Sequence, residues 1–435
     1  MKDAPAPSDA VRRTTVRRYL LLSGLDFFGD MCLTVTSVLL LAERGLTSTT
    51  IVSLIGTVWL LEALLEVPTG VFADAIGRRA SLLLGFVIRA VGYSMLFFSA
   101  SPGVAIAGTL LAAVGAPFAS GSLDAWAVDK LHRDDPSANL DALFARGRMA
   151  ENTGIVTGTM AGAVAGQYLG LAVPQLLAGA ACLTGALFTM TLLKDPAPAP
   201  TEAPKGSVRR ELTAASLDAL RGCGRALGTD RLLTGLLLGI AALYLFRALP
   251  GVQWTVHFDA LTGGSLVAMA VARCAGELLQ IPVLEVVART VRGRPELRWR
   301  IVLMSAVAAG VFLAGAAVTG SGLLGIPLYI GFVMAGGLCM PGLKAALNER
   351  VPARGRATML SAGGLFNSLA SGVGLYVMGA LGLGLADVRG VWTFAAAGTV
   401  LAGTLAAWCC LRSLHSPART ADEPVTAPET APLTP

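Results

Sequence analysis

Charge is what this chain has least of. Only 14% of its residues are Asp, Glu, Lys or Arg, against 54% hydrophobic, and the mean hydropathy is +0.66. Soluble globular domains carry about 25% charged residues, so that class is excluded. Histidine is scarcer still: His132, His257 and His415 are the three, no His-Glu-x-x-His occurs, and the sequence puts two of them in loops and one in a tail. A zinc hydrolase and a proton relay through imidazole both drop out. The seven cysteines (Cys32, Cys182, Cys223, Cys274, Cys339, Cys409, Cys410) have no metal-ligand spacing and fall mostly in apolar stretches. They read as reduced packing residues, so neither a metal site nor a disulfide framework is expected. Tryptophan and tyrosine number six each, too few to mark the membrane interfaces by aromatic belts. No Ser/His constellation lies inside an apolar run, which leaves a polytopic membrane enzyme as a remote alternative.

What the chain has is apolar runs of spanning length. Twelve are legible, at 19–41, 50–71, 80–100, 103–128, 149–169, 172–193, 232–253, 263–287, 300–319, 322–346, 357–379 and 391–412. Each can cross about 30 Å of hydrocarbon at about 1.5 Å per residue. The first run carries Asp26 and Asp30 and ends without a small-residue cleavage site, unlike a signal peptide. The expected architecture is an all-α integral membrane protein of twelve transmembrane helices in two six-helix bundles.

The basic residues sort the loops. Outside the apolar runs, only Arg44 and Arg389 fall in odd-numbered connections; all other Lys and Arg lie in the tails and even-numbered loops. The positive-inside rule then places both termini in the cytoplasm of a multi-pass protein of the cell membrane. That topology accounts for the net charge of +6, so no nucleic-acid partner is implied.

Residues 1–18 read as a disordered cytoplasmic tail, 19–193 as the N-terminal bundle, 194–231 as a cytoplasmic linker, 232–412 as the C-terminal bundle and 413–435 as a second disordered tail. Within the linker, Val208 to Leu227 alternates apolar positions with Arg209, Arg210, Arg221 and Arg225, the pattern of a helix lying on a membrane surface. Gln280-Ile281-Pro282 followed by Arg289, Arg292, Gly293 and Arg294 weakly echoes Glu66-Val67-Pro68 followed by Gly77, Arg78 and Arg79, as two structural repeats would.

Between the second and third runs stands Gly70-Val71-Phe72-Ala73-Asp74-Ala75-Ile76-Gly77-Arg78-Arg79. This resembles the loop between helices 2 and 3 of the major facilitator superfamily of secondary transporters, with Phe72 and Ala75 where that family usually has Leu and Arg. The preceding Glu66-Val67-Pro68-Thr69-Gly70 is similar to a bacterial branch that includes drug/proton antiporters. Arg350 to Ser361 and Ser120 to Lys130 resemble stretches of the same branch, and the likeness extends over residues 19–412. It implies carriage by alternating access, a monomer with its pathway between the two halves, and a gate in which Asp74 caps the start of helix 11 while Arg78 pairs with Asp129. In the fifth run, Gly154, Gly158, Gly162 and Gly166 recur every fourth residue and predict a smooth packing stripe.

Charges inside the runs carry the functional information, because each costs at least about 2.5–3.5 kcal/mol at mid-bilayer unless it faces a partner, a cavity or water. Asp26 and Asp30 share one helix face, as do Glu62 and Glu66; Arg89, Asp124, Arg273 and Glu277 complete the set, with Arg247 near an outer end. Arg89 and Arg273 can neutralise nearby acids, and Glu66 and Glu151 stand near the inner surface. Cations are too few for Asp26, Asp30 and Glu62 together, so at least one acid is expected to exchange protons near neutrality. The expected function is proton-coupled efflux of a small amphipathic or cationic organic compound, a drug or secondary metabolite. The proton gradient is its energy source, and no cofactor or metal is needed. Uptake or facilitated diffusion of a small nutrient is the alternative; solute and protons, with the surrounding lipid bilayer, are the expected partners.

Overall fold

The computed structural model describes residues 9–119, 121–134, 140–193, 230–291, 294–350 and 356–415. Among them are helices and no strand. The first half comprises α1 (Asp9–Met31), α2 (Ser37–Glu43), α3 (Ser48–Ile76), α4 (Arg78–Phe97), α5 (Pro102–Ala119), α6 (Ser122–Asp134), α7 (Leu140–Leu169) and α8 (Val173–Leu192). The second comprises α9 (Arg231–Thr262), α10 (Leu266–Val291), α11 (Arg298–Val318), α12 (Gly322–Arg350), α13 (Arg356–Ala380) and α14 (Val388–His415). Nine stretches among the described residues are long and apolar enough to cross a membrane. The remaining three of the twelve expected positions are filled by α1 with α2, by α7 and by α13, whose acids, amides and glycines lower their apolar content while their faces pack inside the bundle.

Local chemistry sets the helix limits. Gly77, at φ 100°, ends α3 and opens α4, a conformation closed to most side chains. Asp230 caps α9 by accepting from Leu232 N at 2.9 Å and Leu233 N at 3.3 Å. Two of the expected spans are broken: the first by a turn over 32–36, the fourth at Gly121, whose φ is 65°.

Several expectations change. Residues 9–18, expected as disordered tail, are the first turns of α1; past Pro7 the segment has neither Pro nor Gly to stop a helix before the apolar run. Helix α7 starts nine residues before the apolar run does, so Glu151 lies well inside it. Helix α9 runs to Thr262, so His257 is helical, with its ring 5.0 Å from Trp392 and 5.1 Å from Phe258. Cys32, Cys182, Cys274, Cys339, Cys409 and Cys410 are buried and none of them forms a disulfide among the described residues. The amphipathic segment of the linker, with Cys223, and the tails at 1–8 and 416–435 lie outside the described residues.

The glycine stripe of α7 is laid against α1. Gly154 faces the backbone of Gly24 and Phe28, Gly158 that of Phe28, and Gly162 the carbonyl of Cys32, each closer than any Cβ could stand. Helix α7 can therefore meet α1 only as a backbone-to-backbone contact.

The two halves meet along two seams. Gly56 of α3 abuts Gly372 and Tyr376 of α13, and Gly379 abuts Thr49 and Ser53. Gln167 of α7 accepts a hydrogen bond from Leu266 N of α10 at 2.6 Å, and Cys274 Sγ lies 3.8 Å from the Val156 carbonyl. The tightest of these contacts lie away from the end that carries the Arg78–Arg79 turn, the basic end. Toward that end a Cβ on Gly70 or Gly364 would meet nothing within 4 Å. Among the described residues, these contacts between the halves gather toward the end away from the Arg78–Arg79 turn.

Candidate functional site

Helix α1 supplies a polar face at Tyr19, Ser23, Asp26 and Asp30, positions three and four apart that stack on one side of a helix. This face looks into a cavity of about 330 Å³ whose walls include Asp26, Asp30, Glu62, Glu66, Asp124 and Glu151. One cation, Arg89, lines it with them.

Arg89 is 1% exposed and reaches from α4 to both acids of α1. Its Nη1 donates to Asp26 Oδ1 and its Nη2 to Asp30 Oδ1. Tyr93, one turn on, donates to the same Asp30 oxygen at 2.9 Å. The α4 helix can bring the arginine stem in because Gly115 of α5 leaves room: a Cβ there would stand 2.7 Å from Arg89 Cγ. Sequence reasoning left Asp26 and Asp30 short of cations, but the structure gives them one guanidinium to share. A planar fork can serve two carboxylates at once, which a count of charges does not anticipate.

The other acids are held differently. Tyr19 donates to Asp124 at 2.9 Å. Glu151 takes Arg148 at 2.9 Å and has Ser23 Oγ 3.5 Å away. Glu62 has neither an ion pair nor a hydrogen bond among the described residues, although it faces the same cavity. Among the described residues no three acidic, His or Cys side chains converge to hold a metal ion.

The break in the fourth span puts Asp124 where it is. At a helix end the last carbonyls have no partner in their own helix, and inside a membrane they must find one. Buried hydroxyls from two other helices provide it: Thr69 donates to the Pro117 carbonyl at 3.1 Å and Ser81 to the Phe118 carbonyl at 2.9 Å. Ser122 Oγ then donates to Ser81 Oγ at 3.2 Å. Helix α6 can therefore start afresh with Asp124 in its first turn.

Around the charged loop, Arg78 Nε lies 3.7 Å from Asp129 Oδ2. Arg79 donates to the carbonyls of Thr189 at 3.2 Å and Met190 at 2.6 Å, tying the start of α4 to the last turn of α8, where a cation also meets the negative helix end. Gly70 and Asp74 lie in the last turns of α3, and the side chain of Asp74 is outside the described residues, as are those that open α13. Arg273 and Glu277, expected at the cavity, pair with each other at 2.6 Å on α10 in the other half and are not among its walls. The expected set is therefore divided: Asp26, Asp30, Glu62, Glu66, Arg89 and Asp124 converge and the α10 pair stands apart. Tyr19, Ser23 and Tyr93 were not anticipated; the spacing of Tyr19 and Ser23 ahead of Asp26 carried the signal.

The family model of the Major Facilitator Superfamily matches residues 19–375. The chain belongs to that superfamily. Its fold is that of the crystal structure of nucleoside transporter NupG, with a TM-score of 0.71, 15% identity, and coverage of 93% of this chain and 100% of that one. A bacterial homolog to the human lysosomal transporter Spinster, in an inward-facing and unoccupied conformation, gives 0.70 at 16% identity over 94% and 98%. Peptide transporter POT in complex with sulfate gives 0.73 at 14% over 92% and 95%. At these identities the likeness fixes the fold alone. No curated protein sequence matches the chain. The superfamily makes this a multi-pass membrane transporter of small solutes and not an enzyme, with the acid cavity in its first half.

Proposed function

We propose that this transporter exports a small amphipathic or cationic organic compound in exchange for protons, across the cell membrane and with both termini in the cytoplasm. One observation carries the reading: Glu62 faces a cavity of six carboxylates and one cation, and no partner among the described residues neutralises it. A carboxylate so placed can be neutralised in two ways, by a proton or by a positively charged group of the solute, and the two exclude each other. That competition is the minimal device of an antiporter.

With the basic end in the cytoplasm, contacts between the halves gathered toward the opposite end mark this as the inward-facing state. There Glu62 gives up its proton and accepts the basic group of the solute; with the cleft open outward, a proton from outside displaces the solute. Each proton entering yields about 2.3 kcal/mol per 100 mV when its charge is not offset by that of the solute. Asp26 and Asp30 hold Arg89, so their part is to fix the wall against which Glu62 works. Asp74 and the Arg78–Asp129 pair serve as the inner gate, latched when the cleft faces outward, and the protein works as a monomer.

Purified protein in liposomes tests this. Wild type should drive uphill export under an imposed proton gradient, acidify the compartment the solute leaves, and stop with a protonophore. The Glu62→Gln variant should lose uphill export at least tenfold while retaining exchange of labelled for unlabelled solute. Uphill export that survives in E62Q, or flux indifferent to the protonophore, refutes the proposal and leaves facilitated diffusion.

A further inference from the structure

The second half holds a cation that the mechanism does not use. Arg247, on α9, makes no hydrogen bond and no ion pair among the described residues. Tyr244, Cys339, Arg273 and Tyr329 are the titratable groups that act on it most strongly, none of them a carboxylate and one of them a second cation. Arg273 is already committed to Glu277 at 2.6 Å, so that acid does not serve both.

The surroundings are cut to fit this guanidinium. Gly336 and Gly337 stand side by side on α12, and a Cβ on Gly336 would lie 2.6 Å from Arg247 Nη1. The amide of Gln280, from α10, fills the neighbouring notch at Gly337 and likewise makes no hydrogen bond among the described residues. Two donor groups without acceptors are thus seated at neighbouring positions of α12, on two of the helices that meet the first half: α9 beside α2, and α10 beside α7. A planar guanidinium with an amide beside it is the donor set that a carboxylate, with its two oxygens, accepts.

Depth along the helices sets this group level with Glu62. Glu62 lies 14 residues from the Ser48 end of α3, and Arg247 lies 15 residues from the Thr262 end of α9. Both ends lie away from the basic end, so at about 1.5 Å per residue the two side chains stand about 21 Å and 22 Å from the same face. One acid without a base and one base without an acid therefore occupy one level in opposite halves.

We infer that Arg247, with Gln280, binds an acidic group of the solute, so that the transported compound is bipolar: a basic group toward Glu62 and a carboxylate or similar anion toward Arg247. The inference rests on the exporter reading for the placement of the basic end and adds the second charge. Such a solute touches both halves at once, which is how binding in one half can be felt by the other.

Binding to the purified full-length chain in detergent, read as thermal stabilisation, tests it. The probes are matched sets of aromatic amines, amino acids and carboxylic acids, with tyramine, tyrosine and 4-hydroxyphenylpropionate as the smallest set and larger N-substituted analogues above them. Amino acids should stabilise wild type at lower concentration than the amines or acids of the same set. Arg247→Gln should raise the concentration needed for amino acids and acids at least tenfold and leave the amines unchanged; Arg247→Lys, which keeps the charge but not the fork, should fall between. Without any probe, R247Q should melt at or above wild type, since it removes an uncompensated charge from the interior. The inference is overturned if no amino acid stabilises wild type, if amines do as well as amino acids, if R247Q binds amino acids normally, or if R247Q alone melts several degrees lower, which would expose a structural partner. Uphill export that survives in E62Q would refute the proton exchange while leaving these binding results standing, so the two readings fail separately.

Discussion

Arg89 and Glu62 are opposite cases of one rule, that a charge inside a membrane needs company. Arg89 has two carboxylates and a tyrosine ring, its Cζ 6.0 Å from the Tyr93 centroid. Replacing it by Gln strands Asp26 and Asp30 together; the loss falls below that of a fully buried pair, about 3–5 kcal/mol, because the Asp30 side chain is 42% exposed to the cavity. The R89Q variant should show a melting temperature lowered by several degrees, partly restored when Asp26→Asn is added. Glu62→Gln, by contrast, removes an acid that neutralises nothing, and its melting temperature should not fall while its uphill transport does. The sequence made the acids and Arg89 visible as intramembrane charges. It could not tell which acid would be left over, because that depends on one guanidinium reaching two residues a helical turn apart. The pairing of Arg273 with Glu277 was legible from its four-residue spacing, whereas its absence from the cavity was not, since spacing along a helix does not say which half a wall belongs to.

At the level of helices, the stripe on α7 and the gate between α3 and α4 are the elements with most at stake. A Cβ on Gly162 would fall on the Cys32 carbonyl and one on Gly158 on that of Phe28, so Gly158→Leu should push α7 off α1 and distort the wall that carries Asp26. Its expected signature is reduced thermal stability together with loss of solute binding. Asp74→Asn should abolish transport while the protein remains folded and correctly inserted; near-normal flux of D74N in vesicles removes Asp74 from the gate. The stripe was readable from its four-residue repeat, as was the charged turn from its position after the second run. The breaks in the first and fourth spans were not. Gly121 marks one of them, but glycine is so common here, at 51 residues, that a single one does not stand out. The hydroxyls of Thr69 and Ser81 that make the break tolerable come from other helices.

For the whole molecule, the contacts between the two halves among the described residues gather away from the basic end. A cysteine placed at Val156, whose carbonyl lies 3.8 Å from the native Cys274 Sγ across the seam, should therefore cross-link readily in this state, and conditions that favour the other state should suppress the cross-link; a yield indifferent to solute and proton gradient would mean that the halves do not rock. A bipolar solute exchanged one for one with protons carries no net charge, so a potential negative inside should accelerate its export. A singly charged cation exchanged in the same ratio should not respond, because the charges cancel. The all-helical, many-spanning fold was legible from the hydropathy of the runs. The seams, which depend on glycines in α3 and α13 meeting across the molecule, were not. The sharing of Arg89 also bears on biosynthesis. Span 1, with two acids, and span 3, with this arginine, are each poorly soluble in lipid alone, by about 2.5–3.5 kcal/mol per charge. Once joined they form a nearly neutral unit, so span 1 is best retained at the insertion machinery until span 3 emerges from the ribosome. Nascent chains cut before Arg89 should accordingly leave span 1 extractable by alkali, and chains extended through α4 should anchor both.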